Sequence, residues 1–211
     1  MSSTVKKAVP PVSPEEPRRR LAREERYRQL MDAARQLVRE EGTQALTLGR
    51  LAERSGVTKP VVYDHFGALP GLLSALYLEF AARQTALMNA ALAASRPTLW
   101  DKAAVIAASY VSCFIGQGRE LPGVIAALDS TPELQKVKRE CELAFMSVCE
   151  SELAPFAAPR TIAAASLWGV LGAAEALSTA ATEGVLSAAQ AEDELRQLLV
   201  DIVGRSRRST G

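Results

Sequence analysis

His65 is the one histidine in the sequence, and Cys113, Cys141 and Cys149 are its three cysteines. No two of these share a metal-ligand spacing, and no CxxC pair occurs. No serine or cysteine nucleophile is paired with His65 by sequence logic. Paired carboxylates at helical spacing, a phosphate-cradling glycine loop and a Ser/His/Asp grouping are also missing. An enzyme is therefore not expected, and neither is a metal or a cofactor. What remains is binding chemistry, and it is concentrated in residues 47–66, TLGRLAERSGVTKPVVYDHF. Two short helices joined by a Gly-containing turn at Ser55-Gly56-Val57 form a helix-turn-helix unit. Leu48, Leu51, Ala52 and Val57 can pack the two helices together. The second is then free to present Lys59, Val61, Tyr63, Asp64 and His65. Such a helix fits the major groove of DNA, with its N-terminal residues nearest the bases. Its free N-terminal amides also favour phosphate.

Each residue has a role and a plainer alternative. Lys59 can donate to guanine O6 and N7 or to a phosphate. Val61 can offer methyl groups to thymine or pack internally. Tyr63 and His65 are expected on phosphates. Thr47, Arg50 and Thr58 are capping or solvent residues by default, with phosphate contact as the alternative. Pro60 completes the groove-facing set, beside Lys59 in the first helical turn, where amides have no intrahelical partner.

The elements that hold this unit are helical. The chain has 211 residues, 48% hydrophobic, 5% aromatic and 23% charged. That length exceeds one average domain, and that balance excludes a collagen-like, fully disordered or disulfide-scaffold protein. Ala and Leu abound while strand formers are scarce, and no segment alternates with period two beside hairpin turn residues. Residues 18–70 carry 11 basic and 7 acidic groups, against 12 basic and 15 acidic in residues 71–211. A basic end on a mildly acidic body suits a polyanionic partner. Residues 1–20, with four prolines by position 17, read as a disordered tail. Arg18, Arg19 and Arg20 form either a solvated run or an arm on phosphates. The apolar spacing predicts helices over 21–41, 48–55 and 59–66, then over 70–94, 99–116, 122–128, 132–153, 160–182 and 188–203. Thr98 to Asp101 and Ser187 to Gln190 read as capping boxes. The apolar stretch 162–181 is interrupted by Glu175 and reads as a buried helix, so no membrane is expected. With no apolar signal at its start and three unpaired cysteines acting as small core hydrophobes, the chain is expected in a reducing cytoplasm.

In the larger part, Tyr110, Phe114 and Gln117 share a helical face with Ile106 and Cys113. Phe145 shares another with Val137, Cys141, Val148 and Cys149, and Trp168 shares a third with Leu171, Gly172 and Glu175. These faces line either a plain core or a ligand cavity. Glu175 is the one charge between Arg160 and Glu183, which calls for a partner such as Arg83, the Tyr110 hydroxyl or a ligand's positive group. The stripes Ala163-Leu167-Val170-Ala174-Leu177 and Ala191-Leu195-Leu198-Leu199-Ile202 suit a four-helix dimer interface.

Residues 23–76 resemble the DNA-binding domain of TetR-family transcriptional regulators. The matching features are an amphipathic helix ending at Gly42, then Thr47, Leu51-Ala52, Gly56-Val57, and Val62-Tyr63-Asp64-His65-Phe66 followed by Leu72. The pattern departs at Ala68 and Leu69, where that family often has a small polar cap and a phosphate-binding Lys. The resemblance implies an all-α homodimer, with a three-helix DNA-binding domain at 21–68 and a larger helical ligand-binding and dimerisation domain at 69–211. The function it implies is a repressor released from near-palindromic double-stranded DNA by a small-molecule effector. An effector-independent regulator or activator, or a small-molecule carrier or enzyme, are the alternatives.

Overall fold

A computed structural model describes residues 15–121 and 123–208. Nine α-helices and no strand occur among the described residues. They are α1 (Glu15–Glu41), α2 (Leu48–Ser55), α3 (Lys59–Phe66), α4 (Leu69–Ala94), α5 (Leu99–Glu120), α6 (Val124–Leu128), α7 (Pro132–Ala157), α8 (Ala164–Thr182) and α9 (Ala188–Arg208). A single 3-10 turn, Thr43–Ala45, links α1 to α2.

Side-chain caps fix several starts. Thr47, Thr98 and Thr131 each accept a hydrogen bond from the amide three residues on. The Ser187 box is reciprocal, since Ser187 Oγ accepts from the Gln190 amide at 3.2 Å and Gln190 Oε1 accepts from the Ser187 amide at 2.9 Å. The Thr98 box is only half formed: Asp101 accepts from the Thr98 hydroxyl, while the Thr98 amide donates to the Arg96 carbonyl at 2.8 Å. Some ends differ from expectation. α1 begins at Glu15 rather than at residue 21, so the tail expected at 1–20 is helical from 15 on; residues 1–14 lie outside the described residues. Pro17 falls in the first turn, where no amide is required. α7 continues past Pro155 to Ala157, because a proline in the last turn forfeits only a terminal bond. Pro122, expected to open the sixth helix, lies outside the described residues.

Two apolar cores result. The first joins Leu30, Met31, Leu37, Leu46, Leu51 and Val62 to Leu72, Leu76 and Phe80 of α4, and it reaches on to Leu121, Val124, Leu128 and Leu134. The second packs Met88 and Leu92 of α4 with the buried faces of α5, α7, α8 and α9. The stretch of α5 from Leu99 to Arg119 is long and apolar enough to cross a membrane by length and composition. Its Ala103, Ile106, Ala107 and Val111 are buried in the second core instead. Among the cysteines, Cys149 is buried and free, as expected of a core hydrophobe. Cys113 and Cys141 form no disulfide and are only partly buried.

Most of the residues in the two expected dimer stripes lie inside the protomer. Leu167, Val170, Ala174, Ala191, Leu195, Leu199 and Ile202 are buried within the protomer, and Leu177 and Leu198 pack partly against the same core. Periodicity reveals a stripe but not the direction it faces, and the bulkiest stripes went inward. The outward face of α8 carries Ala165, Gly169, Gly172 and Ala176.

Leu195 is fully buried. Leu195→Ala is therefore expected to cost about 2–5 kcal/mol in urea unfolding, as a buried leucine deletion does. A loss below about 1 kcal/mol would show that α9 presents another face to the core.

Candidate nucleic-acid interface and regulatory cavity

The geometry of α2 and α3 follows from a few local choices. Thr47 Oγ1 accepts from the Arg50 amide at 3.1 Å. Gly56 ends α2 in the left-handed region at φ 64°, while the Gly56 and Val57 amides donate to the Glu53 and Ala52 carbonyls at 3.2 and 3.0 Å. Only glycine adopts that conformation freely. The turn sets α3 across α2, and Leu48, Leu51, Ala52, Val62 and Phe66 are buried between α1 and the start of α4.

Thr58, Lys59, Pro60, Tyr63 and Asp64 are exposed on the outer side of α3. Thr58 precedes the helix without a side-chain cap bond. Lys59 lies back over α2: a Cβ placed at Gly49 would meet its Cε at 3.4 Å and Nζ at 3.7 Å, with Thr47 Oγ1 3.9 Å from the same point. Gly49 thus leaves room for the lysine stem, and the ammonium sits near the first turn of α2. Val61 is half-buried, so packing and exposure are both present. Arg50 pairs with Glu41 at 2.7 Å, and any phosphate it meets has to compete with that carboxylate. Arg23 reaches Asp64 at 3.7 Å.

His65 is less outward than expected. Its ring lies 6.2 Å from Tyr27 and 6.1 Å from Phe66. Burial, and then the nearby Arg23 charge, push its pKa below the ordinary histidine value; Asp64 pulls the other way and Arg26 pushes down again. The ring is mainly neutral at pH 7, so it offers a hydrogen bond rather than a positive charge.

The junction after α3 was less legible. Gly67 has φ 66°. A Cβ at Gly71 would sit 2.1 Å from the Phe66 carbonyl oxygen, so the first turn of α4 approaches α3 closely enough that only glycine fits. Pro70-Gly71 at a helix start was the available signal. Ala68 supplies no cap bond, and Leu69 is 37% exposed, in keeping with the departures seen in the sequence.

In the body, a cavity of about 760 Å³ opens between α4, α5, α7 and α8. Five of the six expected ligand residues line it: Tyr110, Phe114, Gln117, Phe145 and Glu175. The sixth, Trp168, does not. It is 40% exposed on the outside of α8, where the Arg139 guanidinium stacks on its ring at 4.6 Å. Seven residues place Trp168 about 10 Å along α8 from Glu175, beyond Leu171, where the α8 wall of the cavity ends. Ile106 also faces away, into the core. Sequence reading missed the α4 wall, including Tyr77, Phe80, Gln84 and Thr85. Cys113 and Cys141 border the cavity too. Burial, and then the nearby cysteines, push the Tyr77 hydroxyl well above the ordinary tyrosine value, partly offset by its hydrogen bond with Gln117.

Comparison with known proteins agrees with this geometry. Residues 30–81 match the sequence model of bacterial regulatory proteins of the tetR family. No curated protein matches the chain by sequence. Among solved structures, the fold is similar to the fatty acid degradation regulator FadR from Bacillus halodurans, with TM-score 0.65 and 17% identity over 82% of this chain and 97% of that one. It is similar to FadR from Bacillus subtilis in complex with stearoyl-CoA, with TM-score 0.66 and 18% identity over 82% and 97%. A transcriptional regulator from a Rhodococcus species gives TM-score 0.64 and 14% identity over 87% and 98%. The resemblance read from Val62-Tyr63-Asp64-His65-Phe66 therefore stands on sequence and on fold.

Gly71→Ala is expected to displace α3, since backbone has no soft end to give. DNA binding should be impaired at least tenfold in an anisotropy titration while the body's helicity persists; unchanged binding would show the approach is looser than described. Lys59→Ala should cost roughly 1–3 kcal/mol on the preferred site and relax selection at one base pair. Uniform weakening of all sequences would make Lys59 a phosphate contact.

Proposed function

We propose that this chain, which carries a tetR-family DNA-binding segment, works as a homodimeric transcriptional repressor released from near-palindromic duplex DNA by a small molecule. Two copies of α3 would enter successive major grooves, about 34–36 Å apart. Thr47, Arg50, Thr58, Lys59, Pro60, Val61, Tyr63 and His65 form the proposed contact set. The observation that carries the reading is that Phe80 belongs to the core beneath the DNA-binding helices and also lines the cavity. Tyr77 and Cys113 border both as well. A ligand that re-packs this wall has a direct mechanical route to α3, and it shifts the equilibrium by its differential affinity for the two arrangements. An effector-independent regulator is the weaker reading, because the cavity is open rather than filled by side chains.

The dimer is proposed on the outward faces of α8 and α9. A cleft of about 350 Å³ there is lined by Ala165, Gly169, Leu198 and Arg205. Small residues let helices from two protomers approach closely into a four-helix arrangement.

DNA affinity should fall about a thousandfold or more between about 50 and 200 mM salt if about six phosphates are neutralised. A flat titration on a palindromic site would contradict phosphate-led binding. A Cβ at Gly172 would meet nothing within 4 Å, so Gly172→Arg should leave the protomer folded yet yield monomer by light scattering, with operator binding lost. A DNA-competent dimer would move the interface elsewhere.

A further inference from the structure

Among the described residues, three charged side chains line the cavity: Lys138, Glu142 and Glu175. Lys138 is already engaged by Asp129 at 3.3 Å. Glu142 is matched by Arg139 at 3.1 Å, and no arginine lines the cavity itself. Glu175 has no ion pair among the described residues; within its helix, its backbone carbonyl accepts from Thr179. Arg83, expected as one possible partner, instead places its guanidinium over the Phe80 ring at 5.3 Å.

The surroundings of Glu175 are aromatic. The Tyr110 and Phe145 rings are 4.8 Å apart and tilted by 54°. Burial first, and then the Glu175 charge, hold the Tyr110 hydroxyl far above the ordinary tyrosine value, with Glu142 adding to the same effect. Both carboxylates therefore act on one point of the wall, beside two ring systems whose faces attract positive charge.

From this arrangement we propose that the cavity selects a lipophilic cation, an amine or quaternary onium on an apolar frame, with Glu175 as its counter-ion. The inference rests on the reading that the cavity takes an effector. A volume of about 760 Å³ suits a drug-sized molecule. An acyl anion would meet the Glu175 carboxylate, which no cation answers, while the one lysine on the wall is already held by Asp129, and like charges at close range are costly. The charged layout thus points away from the ligand class bound by the Bacillus subtilis structure.

The test compares decyltrimethylammonium, decanol and decanoate, each below its micelle concentration, by calorimetric titration of the full chain. One apolar arm and three head charges separate shape from charge. The cation should bind about tenfold or more tightly than decanol, as expected for a partly desolvated ion pair beside aromatic faces, with decanoate weakest. Glu175→Gln, which keeps the side-chain shape, should remove most of the cation's advantage and leave decanol binding unchanged. Decanol or decanoate binding as well as the cation would overturn the charge inference and leave the ligand site standing. A preserved advantage in Glu175→Gln would also overturn it. If none of the three binds, the ligand-site reading fails and this inference with it.

Discussion

Helix α4 has to belong to two apolar cores at once, and most of the molecule follows from that. Its first half buries Leu72, Leu73, Leu76 and Phe80 beneath α2 and α3, and its second half buries Met88 and Leu92 in the body. Between these anchors, Tyr77, Gln84 and Thr85 face the cavity. Close-packed interiors resist continuous deformation, so under the proposed function a change in the cavity wall would be met by a shift of the helix as a body. Two contacts would pass that shift on. Arg35 of α1 binds Glu79 on α4, and Gly71 presses against the Phe66 carbonyl at the end of α3. α1 and α3 are both thus tied to the same rod.

The DNA-binding unit was legible because its determinants are local. Thr47, Gly56, the Lys59-Pro60 start and the buried Leu48, Leu51 and Val62 lie within sixteen positions, and each acts through a cap, a positive φ or one helical turn. The Thr98 cap and the Ser187 box were legible for the same reason. What depends on azimuth was not. The leucines of α9 and the Leu167 stripe of α8 form real stripes, yet which core claims them is decided by packing between helices distant in sequence. Trp168 shows a related limit, since a shared face does not say how far along the helix a cavity extends. Cys113 and Cys141 carry no sign of bordering a cavity, because a small apolar residue suits a core and a cavity wall equally. The need for glycine at position 71 comes from an approach between two backbones, which leaves almost no trace in a single sequence.

The first core does not stop where the DNA-binding helices stop. It recruits Leu121, Val124, Leu128 and Leu134 from α5 to α7, and at Gly123 a Cβ would come within 3.3 Å of Thr43 Oγ1, in the turn between α1 and α2. The DNA-reading head is therefore not a detachable module. A chimera cut after Phe66 or within α4 would graft a head whose floor belongs to another protein's α6. Four apolar side chains of that floor would then face a surface they were never shaped to meet. Exchanging DNA specificity between such regulators thus requires transplanting α6 and the start of α7 along with the head, or confining the exchange to the exposed residues of α3. A substitution in α6, far from any base, acts on the same joint, because α6 and α3 share one apolar core despite lying some sixty residues apart.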